Sequence, residues 1–168
     1  MNETEAVCAL LDAEGIEYRL IRHAPAYTME LCGGIGAEYG ARHCKNLFLA
    51  NKHGTGFFLL LMDPDKPYRT SEVSRLLGST RLSFASAEQL ESVLGAKQGS
   101  VSIMALTGER ALRSYSEGIL HVAIDASLLK NELICVHPNT DTATLVLRTG
   151  DMLGFVSRMG FEYSVLEM

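Results

Sequence analysis

The sequence predicts a mixed α+β (α/β) fold in one domain spanning residues 1–168. Strand-like apolar runs outnumber helical ones without a regular strand–helix alternation, which points to a mixed sheet. With 168 residues and 47% hydrophobic content, the chain can supply one proper core. No internal repeat, low-complexity tract or Pro/Ser linker marks a second unit.

The elements follow in order. "TEAVCALLDAEG" places Ala6, Val7, Leu10 and Leu11 on one helical face, with Gly15 as its stop. "YRLIRH" alternates as a short strand. After Pro25, Thr28 caps a short helix running toward Gly33-Gly34. "KNLFLANK" and "GFFLLLMD" flank "HGT" and predict a hairpin with Gly in its turn, and "DPDKPY" is a loop. "TSEVSRLLG" and "SAEQLESVLG" each begin at Ser or Thr and end at Gly, as short helices do. "SVSIMAL", "ILHVAID", "ELICVH" and "TATLVLR" are strand-like. Met152, Phe155, Val156 and Met159 form a helical stripe, and "YSVLE" is a last strand.

Composition excludes several classes. The acidic start "MNETEAVCALLDAEG" lacks the basic flank and apolar run of a signal peptide, and "GFFLLLMD" is too short to span a bilayer. A soluble, cytoplasmic protein without membrane partners is expected. Cys8, Cys32, Cys44 and Cys135 are scattered without a CxxC pair, as reduced thiols are, and the histidines lack metal-ligand spacing. Neither a metal nor another cofactor is expected. A net charge of −5 argues against coating nucleic acid through overall charge. Arg22, His23, Arg42, His43, Lys45 and Lys52 nevertheless gather in the first third, as a local basic patch or as ordinary solvated surface.

Four features carry candidate chemistry. Lys45 stands at the entrance to an apolar strand, where its ammonium can meet a phosphate or carboxylate or simply decorate a strand end. His137, in "CVHPNTD", sits on a turn favoured by Pro138 and Asn139 at a sheet end. The loop from Gly95 to Gly99 leads into "SVSIMAL", and its consecutive backbone N–H groups can bind a carbonyl oxygen or oxyanion. Cys44 beside His43 suggests a thiol nucleophile, but strand neighbours point to opposite faces, so its partner would come from elsewhere, such as His137.

In their order and spacing, "RHAPAYT", "CKNLFLAN", "FFLLLMDPDK", "RLSFASAEQLESVLGAKQGSVS", "LHVAIDASLL" and "VHPNTDTATLVL" resemble the YbaK-like aminoacyl-tRNA deacylases, especially free-standing prolyl-tRNA editing proteins of the alanine-specific kind. The resemblance covers nearly the whole chain. It implies a mostly antiparallel mixed sheet with flanking helices and one substrate cleft. It also implies hydrolysis of mischarged alanyl-tRNA for proline, with the tRNA acceptor end as partner and prolyl-tRNA synthetase as a further candidate. A non-catalytic aminoacyl-tRNA or amino-acid sensor with the same fold is the alternative.

By that resemblance Lys45 positions the acceptor end, and Gly99, Ser100, Val101 and Ser102 supply donors to the ester carbonyl. Thr28, Ile103, His137 and Asn139 then shape the substrate site. Ile103 replaces the proline of the family's Gly-x-x-x-Pro loop, and Asp141 stands where related sequences often have Asn. With "SVSIMAL" as a regular strand, the Ile103 side chain would border the pocket and keep it small.

Overall fold

The computed structural model describes residues 1–25 and 36–168, so the expectations for Thr28, Cys32 and the helix toward Gly33-Gly34 lie outside the described residues. The strands are β1 (Tyr18–Arg22), β2 (Arg42–His43), β3 (Lys45–Ala50), β4 (Phe57–Met62), β5 (Ser83–Phe84), β6 (Leu120–Asp125), β7 (Leu133–Val136), β8 (Ala143–Arg148) and β9 (Tyr163–Leu166). The helices are α1 (Glu3–Ala13), α2 (Thr70–Leu76), α3 (Ala87–Gln89, continued by a π-helical turn Leu90–Leu94), α4 (Glu109–Ser116) and α5 (Thr149–Arg158).

The strands divide into two mixed sheets, β1-β8-β7-β2 and β5-β3-β4-β6-β9. Four of the seven described pairings are antiparallel. The expected hairpin pairs Lys45 with Met62 and Ala50 with Phe57, and Gly54 in its turn has φ 66°. All six residues of β4 are buried, which explains the unbroken run "FFLLLM": this strand is covered on both faces. Phe57, Leu59 and Leu61 join the core shared with Ile134, Val136, Leu145 and Leu147 of the smaller sheet. Phe58, Leu60 and Met62 instead pack with Val73 and Leu82. One residue, Cys44, separates β2 in the smaller sheet from β3 in the larger, so Lys45 begins its strand where the chain crosses between sheets.

Helix α1 starts at a reciprocal cap, with Glu5 N donating to Asn2 Oδ1 at 2.8 Å and Asn2 N donating to Glu5 Oε2 at 3.2 Å. Its inner face is Thr4, Val7 and Leu11, whereas Leu10 is 43% exposed; the apolar face is thus rotated from the expected one. The helix start at Ser86 forms as predicted, with a capping box, and Met152, Phe155 and Val156 of the expected stripe are buried, whereas Met159 is the half-buried C-cap. Helix α4 buries Ala111 and Ser114 and packs the half-buried Tyr115 against the core, an i, i+3, i+4 pattern.

The segment "SVSIMAL" is not a strand. Ile103–Thr107 is a 3₁₀ helix in which Ile103, Met104, Ala105 and Leu106 are all buried. Ser102 Oγ accepts from Met104 N at 3.1 Å and Ser102 O accepts from Ala105 N at 3.0 Å, so the serine turns the backbone locally. A short run of apolar residues does not by itself distinguish a strand from a buried helical turn.

Candidate functional site

Two loops between the core and the surface are tied together. Beyond β7 the chain turns through His137, Pro138 and Asn139; beyond Gly95 it runs through Gly99 to the 3₁₀ helix. Gly95 and Gly99 have φ 71° and 85°, conformations that favour glycine. Ser102, 0% exposed, donates its hydroxyl to His137 O at 2.6 Å. Asn139 Nδ2 donates to Met104 O at 3.1 Å. Asn139 has φ 60°, the only positive value among described non-glycine residues, and its Oδ1 is buried without a hydrogen-bond partner. A strained residue with an orphaned acceptor fits a binding position better than a purely structural one.

Ser100 N is engaged, donating to Lys97 O at 3.1 Å. Among the described residues no hydrogen bond engages the N–H of Gly99, Val101 or Ser102. Val101 is half-buried and Gly99 exposed, and no atom stands within 4 Å of where a Gly99 Cβ would project. Ile103, by contrast, is 0% exposed within the core cluster.

His137 is half-buried, and its Nδ1 lies 3.5 Å from Ala143 O. A carbonyl accepts only, so in the neutral ring this long contact places the proton on Nδ1 and the lone pair on Nε2. Burial lowers its pKa most; the Ala143 carbonyl and Asp141 oppose this, while neighbouring His43 and His23 push the same way, and the net shift is downward.

Lys45 Nζ donates to Lys66 O at 2.7 Å. A carbonyl satisfies one donor without neutralising the charge, leaving two N–H groups of a half-buried ammonium. Among the described residues no carboxylate lies within ion-pair distance of it. Arg42 is different, being held by Asp63 and, at 2.7 Å, by Asp65. Cys44 is 5% exposed and burial pushes its thiol pKa up, so it lacks the accessible thiolate that the nucleophile reading needs.

A cavity of about 740 Å³ lies beside the tied loops, between the first turns of α1 and α4. Ser100 and Asn139 line it; Lys45, Gly99, Val101, Ser102, Ile103 and His137 do not. Its wall also carries Arg22, Lys97 and Arg110, none in a described ion pair, opposed by Glu3, Glu91 and Glu109. Lys97 and Arg110 drew no attention in the sequence, although Lys97 lies inside the quoted "GAKQG" loop. Among the described residues no group of three or more His, Cys, Asp or Glu can hold a metal ion, and no helix is long and apolar enough to cross a membrane.

A crystal structure described as that of "a putative trans-editing enzyme for prolyl tRNA synthetase" superposes with a TM-score of 0.71, covering 100% of this chain and 98% of that one at 17% identity, a likeness of fold. The aminoacyl-tRNA editing domain family matches residues 23–155. Prolyl-tRNA editing protein ProX of Acetoanaerobium sticklandii is 32% identical over 168 residues, covering 100% of this chain and 99% of its own. Prolyl-tRNA synthetase associated domain-containing protein 1 of Bos taurus is 27% identical over 160 residues, covering 93% and 90%. The chain belongs to the aminoacyl-tRNA editing domain family. It is a hydrolase of the ester bond that joins an amino acid to tRNA.

Proposed function

We propose that residues 1–168 act as one trans-editing unit that removes alanine wrongly esterified to the proline tRNA. The observation that carries this reading is the tie between the two loops: Ser102 Oγ to His137 O at 2.6 Å and Asn139 Nδ2 to Met104 O at 3.1 Å. It ties the glycine loop, with its unengaged N–H groups, to the turn that carries the orphaned Asn139 oxygen. The names of the relatives in Acetoanaerobium sticklandii and Bos taurus support proline tRNA as the substrate and prolyl-tRNA synthetase as a delivering partner.

In this reading water attacks the ester carbonyl carbon. Negative charge develops on the carbonyl oxygen, where the N–H groups of Gly99 and Val101 stabilise it. The bond to the ribose oxygen breaks, that oxygen takes a proton, and alanine leaves as the free acid. The vicinal ribose hydroxyl assists the water, and no protein nucleophile is required. Lys45 holds the terminal adenosine or its phosphate, His137 and Asn139 shape the amino-acid end, and Arg22, Lys97 and Arg110 meet phosphates further along the acceptor strand. A second hydrolytic site is useful because a proline pocket rejects the smaller alanine only weakly, whereas a small editing pocket can exclude proline.

The test incubates purified protein with proline tRNA charged separately with alanine, serine and proline. Alanine should be released well above the spontaneous rate and proline should not. Equal release of proline would remove the alanine assignment. Binding without turnover would favour a sensor.

A further inference from the structure

Asp125, at the end of β6, and Lys66, in the turn after β4, lie outside the cavity and the two tied loops, yet they form a charge pair between a buried carboxylate and a half-buried ammonium. The Asp125 side chain is 0% exposed, and its Oδ1 accepts from Lys66 Nζ at 3.0 Å. Oδ1 also accepts from Ser127 N, and Oδ2 from Asp63 N, each at 3.0 Å. Lys66 Nζ donates as well to Met168 O at 2.8 Å. A buried ion pair is weak evidence of stabilisation, since desolvation can cancel the attraction. What the pair holds is therefore the informative question.

It holds a turn. Lys66 N donates to Asp63 O at 3.2 Å with Pro64 in the second position, and Asp65 N donates to Asp63 Oδ1 at 2.9 Å. The Asp63 and Asp65 carboxylates grip Arg42 of β2, while Asp63 N and Lys66 Nζ are bound to Asp125 of β6. The turn is thus anchored to both sheets. The group it presents between these anchors is Lys66 O, which receives Lys45 Nζ at 2.7 Å. Pairing with Met62 places the Lys45 backbone, but a lysine side chain retains much rotamer freedom unless its ammonium is held. The Lys66 carbonyl holds it without neutralising it.

We propose that Asp125 and Lys66 are positioning residues for Lys45: through the Asp63–Lys66 turn they fix the carbonyl that aims the Lys45 ammonium at the substrate. This rests on the reading of Lys45 given above. It assigns a function to polar residues of "MDPDK" and "HVAID" that take no direct part in the chemistry.

The experiment is a double-mutant cycle on single-turnover release of alanine from the proline tRNA, comparing wild type, Asp125→Asn, Lys45→Ala and the double variant, with melting curves for each. Asp125→Asn should slow release by about tenfold in the wild-type background, as a slightly misplaced binding group does, and should cause no further loss once Lys45 is alanine. Equal losses in both backgrounds would mark a merely structural role and overturn the proposal. So would an unimpaired Asp125→Asn protein beside an impaired Lys45→Ala one. A folded Lys45→Ala protein with wild-type turnover would instead remove the reading of Lys45 itself. If Asp125→Asn does not fold, Asp125→Asn with Lys66→Gln, which leaves no unpaired buried charge, enters the same cycle. Failure of both to fold would show that the pair serves the fold, and would also overturn the proposal.

Discussion

Replacing Ser102 by alanine should weaken both the fold and the site. The hydroxyl is 0% exposed and makes two contacts, donating to His137 O at 2.6 Å and accepting from Met104 N at 3.1 Å. Alanine fills nearly the same space, so packing changes little while a partly buried carbonyl and a buried N–H each lose a partner. Each loss costs about 1–3 kcal/mol, and because one side-chain oxygen serves both, about 2–4 kcal/mol is expected in total. For a chain of this length that lowers Tm by roughly 4–15 °C. Differential scanning calorimetry measures the shift, and deacylation at 25 °C, well below the transition, measures the site. Activity should fall beyond any unfolded fraction, because the glycine loop and the His137 turn are then no longer joined. A Tm within about 1 °C of wild type would refute the reasoning, since the cost of two orphaned groups is far larger.

Lys45→Ala should lower deacylation by about 10²-fold with the melting curve unchanged, and Lys45→Arg should recover only part, because a guanidinium differs in reach and donor geometry; a folded alanine variant with full turnover would remove Lys45 from the site. Ile103→Ala should cost about 2–5 kcal/mol in urea denaturation, as a 0%-exposed core residue does, while leaving the preference among alanine, serine and proline unchanged; relaxed preference at unchanged stability would return Ile103 to the pocket wall. His137 is held by burial below its ordinary pKa, so the unfolded chain takes up a proton near pH 6.5 that the folded one resists. Stability should therefore fall as pH drops from about 7 through that window, and level off below the folded value. His137→Gln should flatten this part of the curve, and parallel curves would contradict the downward shift. If Arg22 and Lys97 meet phosphates, each change to glutamine should reduce the slope of log affinity against log salt by about 0.7, whereas unchanged slopes would exclude them from the tRNA path.

The hairpin at Lys45–Met62, the Ser86 cap and the Met152–Phe155–Val156 stripe were legible because their causes are local: a glycine turn, a side chain reaching three residues along, a 3.6-residue period. Ser102 was legible as part of a glycine loop but not as the residue that bends "SIMAL" into a 3₁₀ turn and ties it to His137, 35 positions away. Leu10 shows the same limit, since local spacing offers two adjacent helix faces and only packing selects Thr4, Val7 and Leu11. The mixed fold class, many element boundaries and the family resemblance could be read from residue order, which also nominates Lys45, His137 and Asn139 as candidates. Three-dimensional packing was needed to show that the strands form two sheets, that Ile103 belongs to the core, and that Cys44 is too buried to act as a nucleophile. It alone seated the Lys45 ammonium on Lys66 O, above a turn held by Asp125 and Arg42. Periodicity and capping act over a few residues, whereas burial, ion pairing and the orphaning of a polar atom depend on groups brought together from distant parts of the chain.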